Sequence, residues 1–491
     1  MVGGSELAFR LLARRHGADL AYTPMMKSEL FISPKRTPRG IGQLEVHHAD
    51  APLVAHFSGN DPAMLLAAAK RAERCPGVCA IDLNLGCPQR SAHSGHFGAF
   101  LCAEQTDRLL VLRIVATLAR QLTVPVFCKI RLLDEGVEET VAFAKQMEAA
   151  GCALLAVHGR YRGSPMHRRD GPAHLDQVRA IKQALSIPVL TNGNVRSAQE
   201  LIDSLVLTGC DGVMSAEAAL DDPAIFARAA AACAEERRAL ERQIEESAAL
   251  KAIKRSKERK LTKEELHVLA ERKTAKSRLK ELPHLIAPAT SASTQQPSCA
   301  PLDLADQYLE LVRTHPPTGE KGEVSTEITM THTIFHLRRL CRTLLTQYEL
   351  LPILASATSI DAAAGVMQRC RDYADGVLNF TPGGEAARVE AEARAARKAA
   401  NAARRAEYVD RMTAKARQEG HADDHYLRLG RDAPSDEEIR RIRAMATEKE
   451  RQKYWRANYG QRCSGWYLSA QCPHLADERG CGFLHGDDEE M

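Results

Sequence analysis

Through the first 220 residues, short apolar and β-branched runs recur, each closing on a polar residue or glycine and each followed by a helix-like stretch. They are ADLAYTP (18–24), PLVAHF (52–57), VCAIDLNLG (78–86), VPVFCKIR (124–131), ALLAVHG (153–159), IPVLTNG (187–193) and CDGVMSA (210–216). Nearly continuous apolar strands alternating with helices predict a parallel sheet covered on both faces. Seven such units in about the length of a TIM barrel predict an α/β chain with a TIM (β/α)8-type barrel, its chemistry collected where the strands end. A doubly wound open sheet is the structural rival. Before the first run lies a helix, with Ser5 as N-cap, Glu6 in its first turn, Leu7, Leu11 and Leu12 on its apolar side and Gly17 as C-cap. A strand should precede that helix, and none does. The expectation is that the barrel's first strand is missing: either Met1 is not the true start or the chain is a crippled product.

The pattern then changes. Residues 231 to 283 are dominated by Ala, Glu, Arg and Lys, and LIAPATSASTQQPSCAP follows, which predicts a charged helical insertion and a flexible linker. A second helical periodicity appears from Leu302 to Phe380, with Ile334, Leu337, Cys341, Leu344, Leu345 and Tyr348 on one stripe. Arg338, Arg339 and Arg342 occupy its other side, either as a solvated face or as a contact with RNA phosphate. The resulting division is a barrel at 1–230, insertion and linker at 231–300, a small all-α domain at 301–380, a charged tail, partly helical or disordered, at 381–460, and a cysteine-bearing segment at 461–491.

Composition narrows the class of protein. The net charge of +4 over 491 residues is small and does not by itself establish nucleic-acid binding, although Lys, Arg and Glu crowd the second half. The 14 cysteines are irregularly spaced and mostly sit in apolar runs, which reads as buried thiols rather than a disulfide framework. An intracellular protein, cytoplasmic and/or nuclear, is expected. No apolar run approaches the roughly 18 residues of a membrane span, and no signal peptide opens the sequence.

Chemistry concentrates at the strand ends. After Asn84, the residues Gly86, Cys87 and Pro88 force a tight turn that exposes a thiol able to donate a proton, and Gly95 and Gly98 predict a mobile loop beside it. The alternative is a cysteine packed beside a turn. Lys129 and Arg131 reach the same rim, since alternate residues of a strand point the same way. Two cations beside a thiol suit an anionic cofactor and a pyrimidine carbonyl, although a Lys-x-Arg strand end also serves as a surface ion-pair partner. His158 with Arg160 ends the next strand, in a binding or a structural role. TNGNV (191–195) and MSAEAALDDPAIF (214–226) follow the last two strands, where TIM barrels build phosphate cradles. Either stretch is also an ordinary turn signal.

Taken in order and spacing, SELAFRLLARRHGADLAYTPM, CAIDLNLGCPQ, GHFGAFL, CKIR, VHGR, NGN and GVMSAE resemble the tRNA-dihydrouridine synthases, most of all the branch acting on uridines 16 and 17 of the D-loop. The resemblance covers residues 1 to about 228, and 302–380 resembles that family's RNA-binding helical domain more loosely. It implies an FMN enzyme that reduces uracil in tRNA with electrons from NADPH or NADH. Cys87 would protonate C5 after hydride reaches C6, and Asn84, Arg131 and Arg160 would hold the base. Lys129 and His158 would contact FMN, while Asn192, Gly193, Asn194, Ala216 and Glu217 would surround its phosphate and ribityl chain. No membrane and no obligate protein partner is implied. Two departures stand out. His56 replaces the family's usual Gln against the flavin ring; it can still donate one hydrogen bond, so altered flavin affinity is expected. The family's Ala-Pro-Met turn under the flavin is cut to Met1, Val2 and Gly3.

The far end adds Cys463, Cys472, Cys481 and His485, whose spacing resembles a CCCH zinc finger. Three thiolates and an imidazole complete a tetrahedral Zn2+ shell, and so short a segment needs metal to order itself. Incidental cysteines in a disordered tail are the alternative. Two functional rivals remain at this point. One is a tRNA-binding protein derived from such an enzyme but without reductase activity. The other is an FMN barrel reducing a free pyrimidine, as dihydropyrimidine and dihydroorotate dehydrogenases do; the helical domain and finger argue against it, because a small substrate needs neither.

Overall fold

The computed structural model describes residues 4–32, 44–162, 172–256, 259–283, 285, 298–316 and 326–383, scattered helical positions between 399 and 418, and then 434–459 and 462–469. It divides into two compact units, residues 1–380 and 381–491.

The first unit is built on a curled, wholly parallel sheet. Its strands are β1 (Ala21–Tyr22), β2 (Met26–Lys27), β3 (Leu53–Ser58), β4 (Val78–Leu85), β5 (Val126–Leu132), β6 (Cys152–Tyr161), β7 (Val189–Asn192) and β8 (Gly212–Met214). Both β1 and β2 pair with β3, Ala21 opposite Leu53 and Met26 opposite Phe57. They form one interrupted strand, broken at Pro24, which has no N–H to donate. From there spatial order follows chain order through β8, with no reversal. That is the winding of a TIM barrel, and it rules out the doubly wound rival, whose order reverses at a switch point. Among the described residues no strand pairs with the outer edge of β1 or of β8. Met1 lies outside the described residues.

Alternation along the strands separates packing from chemistry. In β5, Val126, Cys128, Ile130 and Leu132 are buried, while Phe127, Lys129 and Arg131 on the opposite face are only half-buried. The buried set joins Phe57, Ile81, Leu83, Ile114, Phe143, Val157 and Ile181 in the sheet–helix core. Each such side chain contributes about 1.5–3 kcal/mol on burial, enough to fix which residues remain to face a ligand.

The helix Leu7–Arg15 belongs to a different core. Its Ala8, Phe9, Leu11 and Leu12 pack with Leu302, Tyr308, Leu337, Leu345 and Met367 of the helices that follow residue 300. The expected cap at Ser5 is corrected here: Glu6 holds the N-cap position, with no side-chain cap bond. Its carboxylate is drawn instead to the Tyr308 hydroxyl at 2.8 Å and the His336 ring at 2.9 Å. Gly17, just past the C-cap, has φ +88°, the left-handed conformation that suits glycine.

The charged insertion is a helical hairpin. Ile225–Ser256 and Lys263–Glu281 fold back on one another, and a capping box between Thr262 and Glu265 starts the second helix. The hairpin base packs Ile225, Ala229, Cys233 and Leu282 against Leu201, Ile202 and Leu205. Most of the linker expected to follow it lies outside the described residues. In the second unit, helices Asp436–Arg443 and Glu448–Asn458 bury Ile442 and Trp455, and the Trp455 indole donates to the Arg462 carbonyl at 2.7 Å.

No helix among the described residues is long and apolar enough to cross a membrane. No disulfide links the described cysteines.

Candidate functional site

Sheet register assembles the candidate residues. Pairing sets His56 opposite Asp82, Asn84 opposite Lys129, Arg131 opposite His158 and His158 opposite Asn192. Residues scattered over more than 130 positions of sequence thereby become neighbours on adjacent strand ends.

Cys87 follows β4 and is half-buried. The Asn84 Oδ1 accepts from the backbone N–H of Gly86 and of Cys87, each at 3.1 Å, so the turn that carries the thiol is held from inside. The loop behind it is exposed at Gly95 and packed at Gly98. Gly98 has φ +66°, and a Cβ there would stand 2.8 Å from the Cys87 carbonyl oxygen, while Ala99 N–H donates to that same oxygen at 3.0 Å. Glycine is present for close approach.

Beside the thiol runs a cationic wall. Arg131 Nε donates to the Gly86 carbonyl at 2.8 Å, tying β5 to the cysteine turn. Lys129 Nζ donates to Asn192 Oδ1 at 2.9 Å, and Asn192 Nδ2 donates in turn to the Met214 carbonyl at 2.9 Å. Arg160 donates to His158 Nε2 at 3.3 Å and to Asn194 Oδ1 at 3.1 Å. Burial and the neighbouring Arg131 lower the Lys129 ammonium to about 8. Burial, with Lys129, Arg131 and Arg160 close by, lowers His158 to about 2, so its imidazole is neutral near pH 7. Positive charge is concentrated here against its own repulsion, as a site for an anion requires.

His56 is held from both sides. Because Asn84 Oδ1 is committed to backbone N–H groups, its Nδ2 faces His56 Nε2 at 3.0 Å and donates to it. The proton of His56 is then on Nδ1, which donates to Asp82 Oδ2 at 2.5 Å. Both ring nitrogens are thus engaged within the protein, and the ligand hydrogen bond expected of His56 has no free donor in this arrangement. Asp82 was not picked out from the sequence; an acid inside the apolar run VCAIDLNLG is the signal that pointed to it.

At the ends of β7 and β8 the chain forms a cradle. Gly193 has φ +115° and Asn194 φ +58°; a Cβ on Gly193 would come within 2.9 Å of Ala173 and 3.1 Å of His158. The Ser215 hydroxyl, directly after β8, is buried and has no hydrogen-bond partner among the described residues. A buried hydroxyl without a partner, one residue past Met214, which pairs with Asn192 just before the left-handed Gly193–Asn194 turn, fits the phosphate of a flavin nucleotide, and Ser215 was missed because serine in a turn carries no distinctive signal. Ala216 precedes the short helix Glu217–Asp221. The Glu217 carboxylate is turned to Arg339 at 2.9 Å, and Asp221 meets the same guanidinium at 2.8 Å. Arg339 is therefore neither a solvated nor an RNA-facing residue in this structure, whereas Arg338 and Arg342 are exposed.

Of the four residues of the finger pattern, Cys463 is buried in the second unit, and Cys472, Cys481 and His485 lie outside the described residues. Among the described residues no cluster of three or more His, Cys, Asp or Glu is arranged to hold a metal ion.

Comparison with known proteins places this geometry. The chain is 44% identical over 229 residues to the tRNA-dihydrouridine(16/17) synthase-like protein of Mus musculus, covering 46% of each chain. It is 40% identical over 228 residues to the tRNA-dihydrouridine(16/17) synthase of Schizosaccharomyces pombe, covering 46% of this chain and 55% of that one. With the tRNA-dihydrouridine(20a/20b) synthase-like protein of Homo sapiens it shares 37% identity over 230 residues, 46% of this chain and 69% of the other. The chain thus spans about half the length of the 16/17 relatives it matches. The family model for dihydrouridine synthases matches residues 1–296, and with the parallel sheet and strand-end site described above, the chain belongs to the dihydrouridine synthase (Dus) family.

Proposed function

We propose that this protein is an FMN-dependent tRNA-dihydrouridine synthase that reduces the C5–C6 bond of D-loop uridines, those at positions 16 and 17, with NADPH or NADH as the electron source. The observation that carries the proposal is the Cys87 turn, fastened by Asn84 and Arg131 beside the Lys129–His158–Arg160 wall. Lys129, Asn192, Gly193, Asn194 and Ser215 would hold the flavin nucleotide, which when bound supplies hydride to C6 of uracil. The protein's own part is to extract the base from the RNA stack, orient it and deliver a proton. The Cys87 thiol gives that proton to C5. Arg131, kept near the thiol by the Gly86 carbonyl, faces the developing charge on the base, and neutral His158 accepts a hydrogen bond without adding to the charge already present. Exposed Arg338 and Arg342 in the helical region are available to RNA phosphates.

The test is direct. Purified protein should be yellow, should oxidise NADPH, and should convert uridine to dihydrouridine in an unmodified tRNA transcript. A colourless protein that does not take up added FMN would refute the enzyme reading. The spacing of Cys463, Cys472, Cys481 and His485 further supports one zinc ion per chain, which elemental analysis of the full chain and of Cys481→Ser would measure.

A further inference from the structure

The helical hairpin of residues 225–281 carries a surface feature that the strand-end site does not use. Between its two helices opens a cleft of about 540 Å3, with Leu269 and Ala270 among its lining residues. The first helix lines it with Lys251, Lys254 and Arg255, and the second with Arg272, Lys273 and Lys276. No carboxylate is among the lining residues.

Charge accounting within the hairpin makes this cleft distinctive. Elsewhere in the hairpin charges are paired: Arg278 with Glu236 across the helices at 2.6 Å, and Arg259 of the turn with Glu265 at 2.5 Å. The cleft cations form no ion pair with any described residue, and the Arg272 Nε is buried without a hydrogen-bond partner. Lys251 and Arg255 stand four residues apart, as do Arg272 and Lys276, so like charges face each other along each helix as well as across the cleft. A polyanion entering the cleft would relieve that repulsion.

The hairpin is rooted on the barrel through Ile225, Ala229 and Cys233, and Lys251 lies 26 residues along the first helix, about 39 Å from Ile225 at 1.5 Å per residue. The cleft is therefore a second contact point, remote from the base that reacts.

We infer that the cleft between helices Ile225–Ser256 and Lys263–Glu281 binds the sugar-phosphate backbone of the RNA substrate, gripping it at a distance from the strand-end site. This rests on the reading of tRNA as substrate. RNA is favoured over an anionic membrane because a cleft, unlike a flat face, admits a strand between two rows of cations. Binding would be electrostatic and insensitive to sequence, since backbone phosphates carry no base information.

The experiment measures the affinity of the full chain for an unmodified tRNA transcript across a series of KCl concentrations. In the triple variant Lys254→Gln, Arg255→Gln, Lys273→Gln, the slope of log Kd against log salt should fall by about 2 to 3, and affinity near 0.1 M salt by about tenfold or more. The double variant Lys254→Arg, Lys273→Arg keeps the charge and should keep the slope, and Arg278→Gln, which removes a paired cation, should leave it unchanged. Flavin content and NADPH oxidation without RNA should be the same in all of them. An unchanged slope in the triple variant overturns the inference, and so does loss of binding to phosphatidylserine vesicles with tRNA binding intact. Failure of the functional reading shows separately, as a wild-type chain that makes no dihydrouridine whatever its RNA affinity.

Discussion

Two regions of the first unit treat charge in opposite ways. Where the helix Leu7–Arg15 meets the rest of the chain, buried acids and bases are set against one another. Asp50 binds Arg10 at 2.7 Å and Arg14 at 3.0 Å, Arg10 also donates to the Ser5 and Glu45 carbonyls, and Glu6 is closed in by His336 and Tyr308. At the strand ends, Lys129, Arg131, His158 and Arg160 hydrogen-bond amides, carbonyls and each other, and the carboxylate acting on Lys129, that of Asp82, is itself bound to His56. The first region is a joint whose opposite charges meet within the protein, although the His336 Nδ1 has no hydrogen-bond partner among the described residues. The second is arranged for something with negative charge, and its depressed lysine and histidine record the cost of waiting for it.

Breaking the joint should have the largest effect. Asp50→Ala leaves the buried Arg10 and the half-buried Arg14 guanidinium groups without a counter-charge and should cost about 3–5 kcal/mol of stability in urea unfolding. A loss below about 1 kcal/mol would mean that apolar packing alone holds the helix.

Next comes the thiol. Cys87→Ala should lower dihydrouridine formation by about 10²-fold or more, the usual contribution of a positioned general acid, with flavin binding and unfolding midpoint unchanged. Product formation at the wild-type rate would remove Cys87 from its role.

Acid titration separates the two regions by sign. Burial raises the Glu6 carboxyl, but His336, with His332 and Tyr308 assisting, outweighs it and holds it at about 2. A carboxyl lowered in the folded state adds stability above its unfolded value and loses it as pH falls from about 4.5 toward 2. Stability in that window should therefore drop by about 2 kcal/mol in the wild type and stay flatter in Glu6→Gln. Identical acid profiles for the two would show that the pair is not charged.

The smallest effect is expected at Lys129. Its lowered value means that the folded protein binds fewer protons than the unfolded chain above pH 8, so its cost to stability is present at neutral pH and fades as pH rises past about 8. Lys129→Met should accordingly stabilise the flavin-free protein by about 1 kcal/mol while weakening FMN binding, the reverse of Asp50→Ala. FMN affinity in the wild type should also decline as pH passes 8, and the variant should lose that dependence. A destabilised Lys129→Met would place Lys129 with the joint.

What the sequence determined by itself was local. Strand positions followed from apolar runs of fixed length, and the face carrying Lys129 and Arg131 followed from alternation along β5. The Gly-Cys-Pro turn and the Asn-Gly-Asn turn were legible because their conformations depend on the residues within them. Tertiary structure decided the rest, since the partners are far apart in the chain. Glu6, expected in the first turn behind a Ser5 cap, takes the N-cap position and turns its carboxylate to His336, 330 residues away. His56 lost its donor to Asp82, and Arg339 went to Glu217 rather than to solvent. Gly98, read as a source of mobility, is required by the Cys87 backbone packed against it. The basic cleft of the hairpin exists only when two helices lie side by side, so that cations from both face one space and composition alone could not distinguish it from an ordinary solvated surface.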